Sequence, residues 1–298
     1  MKKITKAVIP AAGLGTRMLP IAKSVPKEMM PIVDKPSVQY LIEEAAASGI
    51  TDILIITGRD KCIMENYFDF SPEYMAALQK KQNGGKILAE LTAITEIANI
   101  HYIRQKEPKG LGHAILCAEA FIGGDDFMVL YGDDIIIGEP PAAKQLIDTY
   151  EKHGVSVAGV RAVSRAELSM YCSLDTEPAD GAGDEFYVYD MNEKPKKLEE
   201  FFSDYAILGR VILTPEIFKI LENQPKGANG EIQLTDAMKT LARQAKRGEP
   251  PRMTAKIFTG ERHDMGSKFG FLRANILEGL KHPQTGEALR AFLKDLNL

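Results

Sequence analysis

The chain has 298 residues, of which 45% are hydrophobic and 26% are charged, and its formal net charge is −4 at pH 7. This composition is typical of a soluble globular protein, and the charge excludes a general attraction to nucleic acid or to anionic lipid. No stretch approaches the roughly 18 consecutive apolar residues of a membrane-spanning helix. We therefore expect no nucleic-acid partner and no membrane partner.

The cysteine and histidine residues bear on two further features, disulfide bonds and metal sites. The three cysteines, Cys62, Cys117 and Cys172, are odd in number and far apart in the sequence. This pattern indicates a reduced, cytoplasmic protein rather than a disulfide framework. The five histidines are scattered without the spacing of metal ligands, so no zinc site is predicted.

The first sixty residues predict a strand, a helix and a second strand. Residues 7–9 read as a buried strand that Pro10 should stop, and residues 37–46 read as a helix with one apolar face, ended by Gly49. Residues 53–56 are a continuous apolar run, typical of a strand in a parallel sheet. Such a βαβ unit predicts an α/β protein with a Rossmann-like, doubly wound sheet. Its ligand crevice should lie at the carboxyl ends of the strands.

The loop after the first strand is built from small residues, whose backbone N–H groups a phosphate or a flat base can approach closely. These residues are Ala11, Ala12, Gly13 and Gly15. Arg17 then adds a planar cation and Lys27 a compact one, and these parts suit a nucleoside triphosphate. The spacing G-x-G-T-R matches neither the dinucleotide fingerprint nor the Walker pattern. The loop alone therefore leaves a plain strand-to-helix turn open.

Two more junctions of this kind follow. Residues 100–105 predict a strand that enters a glycine turn ahead of a helix at residues 113–121. Residues 127–131 predict a strand that ends in a Gly-Asp-Asp sequence at residues 132–134. A carboxylate at the end of a buried strand, here Asp133, can hold Mg²⁺ against a phosphate, or it can simply form the turn.

The second half of the chain predicts strands at residues 155–163, 207–213 and 255–258, with helices after the second of them. Two amphipathic helices then complete the chain. The first carries the apolar stripe Phe269, Leu272, Ile276 and Leu280. Such a stripe packs either on the chain's own sheet or on a second subunit.

The joint pattern of the N-terminal region is more specific than its parts. A-A-G-L-G-T-R at residues 11–17 is followed by P-K-E-M-M-P-I-V-D-K-P at residues 26–36. The pair resembles the signature of the sugar-phosphate nucleotidyltransferase family, and the second part is similar to its bacterial UTP:glucose-1-phosphate uridylyltransferase (UDP-glucose pyrophosphorylase) branch. The resemblance implies the nucleotide-diphospho-sugar transferase fold, a mixed, mainly parallel sheet with helices on both faces. It also implies Mg²⁺-dependent transfer of the uridylyl group of UTP to glucose 1-phosphate.

The sequence shows no internal repeat, low-complexity tract or flexible linker, which predicts one continuous domain with two lobes around a cleft. Residues 1–135 would form a nucleotide-binding lobe and residues 136–268 a sugar-phosphate lobe. The helices of residues 269–298 would serve assembly, and the resemblance suggests a homodimer or homotetramer.

Metal and phosphate roles follow from the resemblance as well. Asp133 and Asp264 would bind Mg²⁺, although Asp264 also fits loosely as the N-cap of the next helix. Lys27 would hold the α-phosphate of UTP, Arg17 the departing pyrophosphate and Lys194 the acceptor phosphate.

The nucleotide itself would be recognised on two sides. Gln105 carries both a donor and an acceptor for the O4 and N3–H edge of uracil, and Gly110 offers a close backbone approach beside the ribose. The other candidates for nucleotide binding belong to the N-terminal signature, namely Ala11, Ala12, Gly13, Gly15, Thr16 and Glu28.

The acceptor site would lie in the second half. Residues 191–195, M-N-E-K-P, resemble the family's E-K-P motif, in which Glu193 takes sugar hydroxyls and Lys194 the sugar phosphate. Gly209 follows in the family's order. The family commonly has Tyr-Gly where this chain has Tyr171-Cys172, which makes Cys172 a candidate wall of the sugar pocket.

Other functions remain open at this point. A related transferase could use dTTP or galactose 1-phosphate. A non-catalytic sugar-nucleotide sensor could share the fold, for which Cys172 is the only hint. A nicotinamide-dependent oxidoreductase is disfavoured, because the fingerprint spacing fails.

Overall fold

A nine-stranded sheet forms the centre of the structure, a computed structural model that describes residues 2–59, 61–81, 84–179, 183–227 and 230–296. The strands, including two short pairs outside the large sheet, are β1 (Lys6–Ala11), β2 (Pro31–Ile32), β3 (Lys35–Pro36), β4 (Asp52–Thr57), β5 (Asn99–Arg104), β6 (Phe127–Leu130), β7 (Asp134–Ile137), β8 (Ser156–Ala162), β9 (Cys172–Pro178), β10 (Glu185–Glu193), β11 (Tyr205–Leu213), β12 (Met253–Ile257) and β13 (Glu261–Asp264).

Helices connect most of these strands. They are α1 (Ser37–Ala47), α2 (Ile63–Phe68), α3 (Pro72–Gln79), α4 (Gly84–Thr95), α5 (Leu111–Leu116), α6 (Glu119–Ile122), α7 (Ala142–His153), α8 (Arg165–Leu168), α9 (Glu216–Glu222), α10 (Leu234–Ala242), α11 (Lys268–Lys281) and α12 (Gly286–Asp295). Single 3₁₀ turns lie at Thr16–Met18, Ile21–Lys23, Lys27–Met29 and Leu198–Glu200. In the described part of the chain, no helix is both long enough and apolar enough to cross a membrane.

The strand order of the large sheet is β5-β4-β1-β6-β11-β8-β12-β10-β9. The pairings orient β1, β4, β5, β6, β8, β9 and β12 in one direction, and β10 and β11 run against them. The prediction of a mixed, mainly parallel sheet is therefore confirmed. β9 also touches β11 across the end of the sheet, through Ser173 and Ala206.

The first strand differs from its prediction at Pro10. The strand does not stop there, because β1 continues to Ala11 and pairs with β4 along its whole length. On the other side, β6 pairs with β1 only from Lys6 to Val8. Beyond Val8 this side of β1 has no ladder to complete, so a residue without an N–H donor is tolerated there.

Helices cover both faces of the sheet, as predicted, and each face has its own apolar core. On one face α1 and α7 pack through residues such as Leu41 and Leu146. On the other face α5, α9 and α10 pack, and the ring of Phe218 stacks on that of Phe127 at a centroid distance of 5.4 Å. Because β1, β4 and β6 are covered on both sides, their carboxyl ends are the part of the sheet left open for a ligand.

A small antiparallel pair of strands places a late segment of the chain beside β7, which follows the central strand β6. β13 pairs with β7, which sets Asp264 opposite Asp134. The following helix, α11, is anchored to β13 by His263, whose Nε2 lies 3.0 Å from Glu278 Oε1. Among the described residues, Glu261, His263 and Glu278 could share a metal ion, but Lys281 already binds both carboxylates, at 2.7 and 2.8 Å.

The apolar stripe predicted on this helix faces outward. Phe269, Leu272 and Ile276 are exposed, whereas Ala274 is buried on the opposite side of α11. Asn275 ties the inner side to the loop at residues 31–33 through two hydrogen bonds, to Pro31 O and from Val33 N. Three of the four stripe residues are therefore not part of the chain's own core, and the fourth, Leu280, is half-buried.

One fully buried arginine connects three of these elements. The Arg210 guanidinium donates two hydrogen bonds to the Glu44 carboxylate, at 2.9 and 2.6 Å. It donates two more to the backbone carbonyls of Asp134 and Gly209, both at 2.9 Å. The guanidinium thus joins α1, β7 and β11 at the edge where the sheet is open.

We expect Glu44→Gln to lower the free energy of unfolding by about 3 to 5 kcal/mol, because it leaves the Arg210 cation buried without its counter-charge. Urea denaturation measures the loss. Asp148→Asn is the matched control, since it breaks a surface pair with Lys144 in which each side chain is about half exposed. The two variants should differ clearly, and an equal effect of both would contradict the importance of the buried pair.

Candidate active site

A cavity of about 490 Å³ lies at the carboxyl ends of β1, β5 and β6, as the doubly wound topology predicts. We call it the large cavity. Nine of the predicted nucleotide, phosphate and metal residues line it, namely Ala12, Gly13, Gly15, Thr16, Lys27, Glu28, Gln105, Gly110 and Asp133. Ala11 does not line it, because this residue is the last of β1 and is fully buried.

The loop after β1 is held from behind by Lys61. The Lys61 ammonium donates hydrogen bonds to the carbonyl oxygens of Ala11 and Gly13, at 2.5 and 2.8 Å, and pairs with Glu28 Oε2 at 3.0 Å. Burial raises the pKa of Glu28, and the charges of Lys61 and Lys27 oppose this rise. Glu28 therefore helps to fix the loop, although it also lines the large cavity. Sequence reasoning missed Lys61, which lies fifty positions from Ala11 in an uninformative helical stretch.

Asp133 is the meeting point of two predicted cations. Its Oδ2 lies 2.6 Å from Lys27 Nζ and 3.4 Å from Arg17 Nη2. Burial alone would raise the pKa of Asp133. The positive charges of Lys27 and Arg17 lower this pKa by a larger amount, so it lies below its ordinary value. Burial lowers the pKa of Lys27, and Asp133 and Glu28 raise it above its ordinary value. Both groups are thus charged at neutral pH.

Asp264 reaches the same place from the far end of the chain. A Cβ at Gly266 would lie 2.6 Å from Arg17 Nη2, 2.7 Å from Asp133 Oδ2 and 3.1 Å from Asp264 Oδ1, so the three groups surround this glycine. The N-cap alternative for Asp264 is wrong, because Ser267 caps α11 by accepting from the Gly270 N–H. Two carboxylates converge on one small region, and such an oxygen donor set fits Mg²⁺.

Asp134 points elsewhere. Its Oδ1 lies 2.5 Å from Arg262 Nη2, and burial, together with the charge of Asp133, raises its pKa to about 6 against the opposing charges of Arg262 and Arg210. Gly209 lies directly against it. A Cβ at residue 209 would come within 2.7 Å of Asp134 Cβ, and the backbone there has a φ of +73°. Gly209 lines neither cavity described here, and its role in sugar-phosphate binding stays a prediction.

Gln105 and Gly110 lie together on the other side of the large cavity. The Gln105 amide nitrogen lies 3.0 Å from Gly110 O and 2.9 Å from His113 Nδ1. Gly110 has a φ of +104°, and a Cβ there would lie 2.7 Å from Ile232 O, so only glycine fits. The protein thus holds the Gln105 amide nitrogen, and the side-chain carbonyl is its remaining hydrogen-bonding atom.

A second cavity of about 130 Å³, the small cavity, lies beside the first. Cys172, Glu193 and Lys194 line it, and Tyr131 and Leu111 line both cavities. Lys194 Nζ pairs with Glu193 Oε1 at 3.3 Å, and the Lys194 backbone is in the left-handed region with a φ of +47°. The motif that resembled E-K-P is therefore joined to the large cavity by two shared residues.

Cys172 forms a buried part of the wall of the small cavity, with 2% of its surface exposed. Its Sγ lies 3.7 Å from Ser173 O. Burial raises the pKa of the Cys172 thiol well above its ordinary value, and Glu193 adds to the rise. A neutral, enclosed thiol is a poor nucleophile, and what Cys172 contributes to this wall is its volume.

The structure thus brings together most of the residues predicted for the site. Arg17 is exposed at the rim, and Ala11 and Gly209 support the site from behind. Sequence reasoning missed Lys61, Arg262 and Tyr131. Tyr131 carried the only local signal, because it directly precedes the Gly-Asp-Asp turn at the end of a buried strand.

Comparison with known proteins agrees with this geometry. Residues 6–275 match the family model described as nucleotidyl transferase. The UTP–glucose-1-phosphate uridylyltransferase YngB of Bacillus subtilis is 48% identical over 298 residues, covering 99% of this chain and 96% of that protein. A UTP–glucose-1-phosphate uridylyltransferase of Staphylococcus epidermidis is 46% identical, with both chains fully covered.

Solved structures show the same likeness. A crystal structure of a UDP-glucose pyrophosphorylase complexed with UDP-glucose is similar with a TM-score of 0.83 and 40% identity, over 94% of this chain and 100% of that one. A UTP-bound UGPase from Acinetobacter baumannii has a TM-score of 0.87 and 35% identity, over 98% and 99%. The predicted resemblance is confirmed, and the chain belongs to the nucleotidyl transferase family.

Proposed function

We propose that this chain catalyses the Mg²⁺-dependent transfer of the uridylyl group of UTP to glucose 1-phosphate, giving UDP-glucose and pyrophosphate. The observation that carries the proposal is the junction of the two cavities. The large cavity has Lys27 and Asp133 in its wall, and the small cavity has Glu193 and Lys194. The names of the full-length relatives support the choice of UTP and glucose 1-phosphate.

The reaction needs two anions to be aligned more than it needs acid–base chemistry. A phosphate oxygen of the acceptor attacks the α-phosphorus in line, and pyrophosphate leaves on the opposite side. Lys194 holds the acceptor phosphate, Lys27 the α-phosphate and Arg17 the pyrophosphate. Lys27 and Lys194 each pair with a carboxylate in the described state, and the bound phosphates offer these cations new oxygen partners.

Asp133 and Asp264 are the residues that would hold Mg²⁺. When bound there, the ion would supply positive charge that screens the phosphate oxygens. The Lys27–Asp133 pair keeps Asp133 ionised, and thus ready as a ligand, because the cation lowers its pKa.

The nucleotide is selected across the large cavity. The side-chain carbonyl of Gln105 accepts from the uracil N3–H, since its amide nitrogen is held by Gly110 and His113. Ala12 and Gly13 approach the base and ribose from the other side, with Gly15, Thr16 and Gly110 completing the nucleotide site. In the small cavity Glu193 takes sugar hydroxyls, and Cys172 limits the room for the sugar.

Two broader assignments go with this function. We place the enzyme in the cytoplasm, because its three cysteines are free thiols. We also propose that it is a homodimer or homotetramer, with a second copy packing on the outward stripe of α11. Phe269, Leu272 and Ile276 expose 77%, 57% and 42% of their surface along one face of α11, and adjacent exposed apolar side chains of this kind favour an interaction surface.

The function is tested by pyrophosphate release with Mg²⁺, using UTP or dTTP, each with glucose 1-phosphate or galactose 1-phosphate. We expect the highest kcat/KM with UTP and glucose 1-phosphate, and loss of the signal when EDTA removes the metal. Higher kcat/KM with dTTP or galactose 1-phosphate would reassign the substrates. No release in any pair by folded protein would favour a sugar-nucleotide sensor.

Lys27→Ala should reduce kcat by on the order of 10² to 10³, because it removes a preorganised cation from the transferring phosphate. Lys23→Ala is the matched control: it removes the same charge from an exposed position in the same loop, outside the large cavity. Steady-state kinetics with UTP and glucose 1-phosphate measure both variants. Near-normal turnover of Lys27→Ala would refute the role of this residue.

Leu272→Asp should convert the oligomer to a monomer, since a carboxylate in an apolar interface would be buried without a partner. Light scattering after size-exclusion chromatography measures the mass. Lys80→Asp, a charge change on the exposed end of α3, should leave the mass unchanged. A monomeric wild-type protein would rule out the assembly.

A further inference from the structure

The Tyr131 hydroxyl is a buried polar group of the site that has no partner among the described residues. Leaving a buried hydroxyl unpaired is unfavourable, and a phenylalanine would fill the same space without that cost. The hydroxyl therefore needs an explanation outside the resting contacts of the chain.

The position of Tyr131 is fixed by its backbone. The residue follows β6, its N–H donates to Gly209 O at 2.8 Å, and its carbonyl accepts from the Asp134 N–H at 3.1 Å. Its ring packs with the apolar core on the side of α5 and α10. The side chain is thus held next to Asp133, at the end of the strand on which the reaction centre is built.

Tyr131 also lies at the junction of the two cavities, since it lines both of them. Glu193 and Lys194, the residues proposed to bind the acceptor, line the small cavity together with Tyr131. An acceptor held by these two residues therefore lies beside the tyrosine.

A tyrosine phenol is ordinarily protonated at neutral pH. A protonated phenol is a donor that complements the acceptor oxygens of a sugar.

We propose that the Tyr131 hydroxyl donates a hydrogen bond to the sugar of the acceptor, which makes Tyr131 a specificity-determining residue of the small cavity. This inference rests on the proposed function. Tyr131 and Glu193 then approach the sugar together, the first as donor and the second as acceptor. The phosphate remains with Lys194.

The experiment compares the binding of UDP-glucose and of UDP to Tyr131→Phe by calorimetry, with Mg²⁺ present throughout. Loss of one neutral hydrogen bond should weaken UDP-glucose binding about 2- to 10-fold and leave UDP binding unchanged. The melting temperature should not fall, because the hydroxyl has no partner to lose. Tyr150→Phe is the matched control, since its hydroxyl donates to Asp126 at 2.5 Å away from both cavities. This control should melt earlier and bind UDP-glucose normally.

Each other result overturns the inference. Unchanged UDP-glucose binding by Tyr131→Phe means that the sugar does not use the hydroxyl. Equal weakening of UDP and UDP-glucose, or a lower melting temperature, means that the tyrosine acts on the whole site or on the fold. Wild-type protein that binds neither ligand would refute the proposed function itself, which separates that failure from a failure of Tyr131 alone.

Discussion

The buried Arg210 guanidinium is the interaction on which the geometry of the site depends. It binds the Glu44 carboxylate in α1 and the carbonyls of Asp134 and Gly209, so that three elements meet at one fixed point. The turn that carries Asp133 lies between β6 and Asp134, and it cannot shift without breaking these bonds. Moving any of these elements would leave the buried Arg210 charge unpaired, which is strongly destabilising. The contacts therefore hold the three elements in a fixed arrangement.

A second set of contacts extends this fixed point to the far end of the sequence. Arg262 in β13 binds Asp134, and the pairing of β13 with β7 carries Asp264 to the side of Asp133. Local sequence patterns left Asp133 open as a metal ligand or a turn residue and fitted Asp264 loosely as an N-cap, and the family resemblance was needed to join the two. The reason is physical, because the register of a strand pair between residues 134 and 264 is decided by tertiary packing and leaves no trace in either segment.

The same contrast between features that local sequence predicts and features that tertiary packing decides is found elsewhere in the structure. The strands and helices around the β1 loop followed from hydrophobic periodicity, which reports burial directly. Hydrophobic periodicity did not predict the partners of buried charges. Lys61, for example, contacts Glu28 and the loop carbonyls from a distant part of the sequence. Hydrophobic periodicity also predicted the apolar stripe of α11, but it did not predict which surface the stripe would face. The helix turns Ala274 and Asn275 inward because Asn275 can satisfy the backbone of the loop at residues 31–33.

The cations proposed to handle phosphate share one feature that links stability to catalysis. Lys27 is held by Asp133 and Lys194 by Glu193, so each buried or half-buried charge is compensated before a substrate arrives. Without these partners, the two cations would raise the free energy of the resting protein. Phosphate oxygens bind the same donors as a carboxylate does, with more charge. In the proposed reaction, the substrate phosphates would therefore replace these carboxylates as partners of the two lysines.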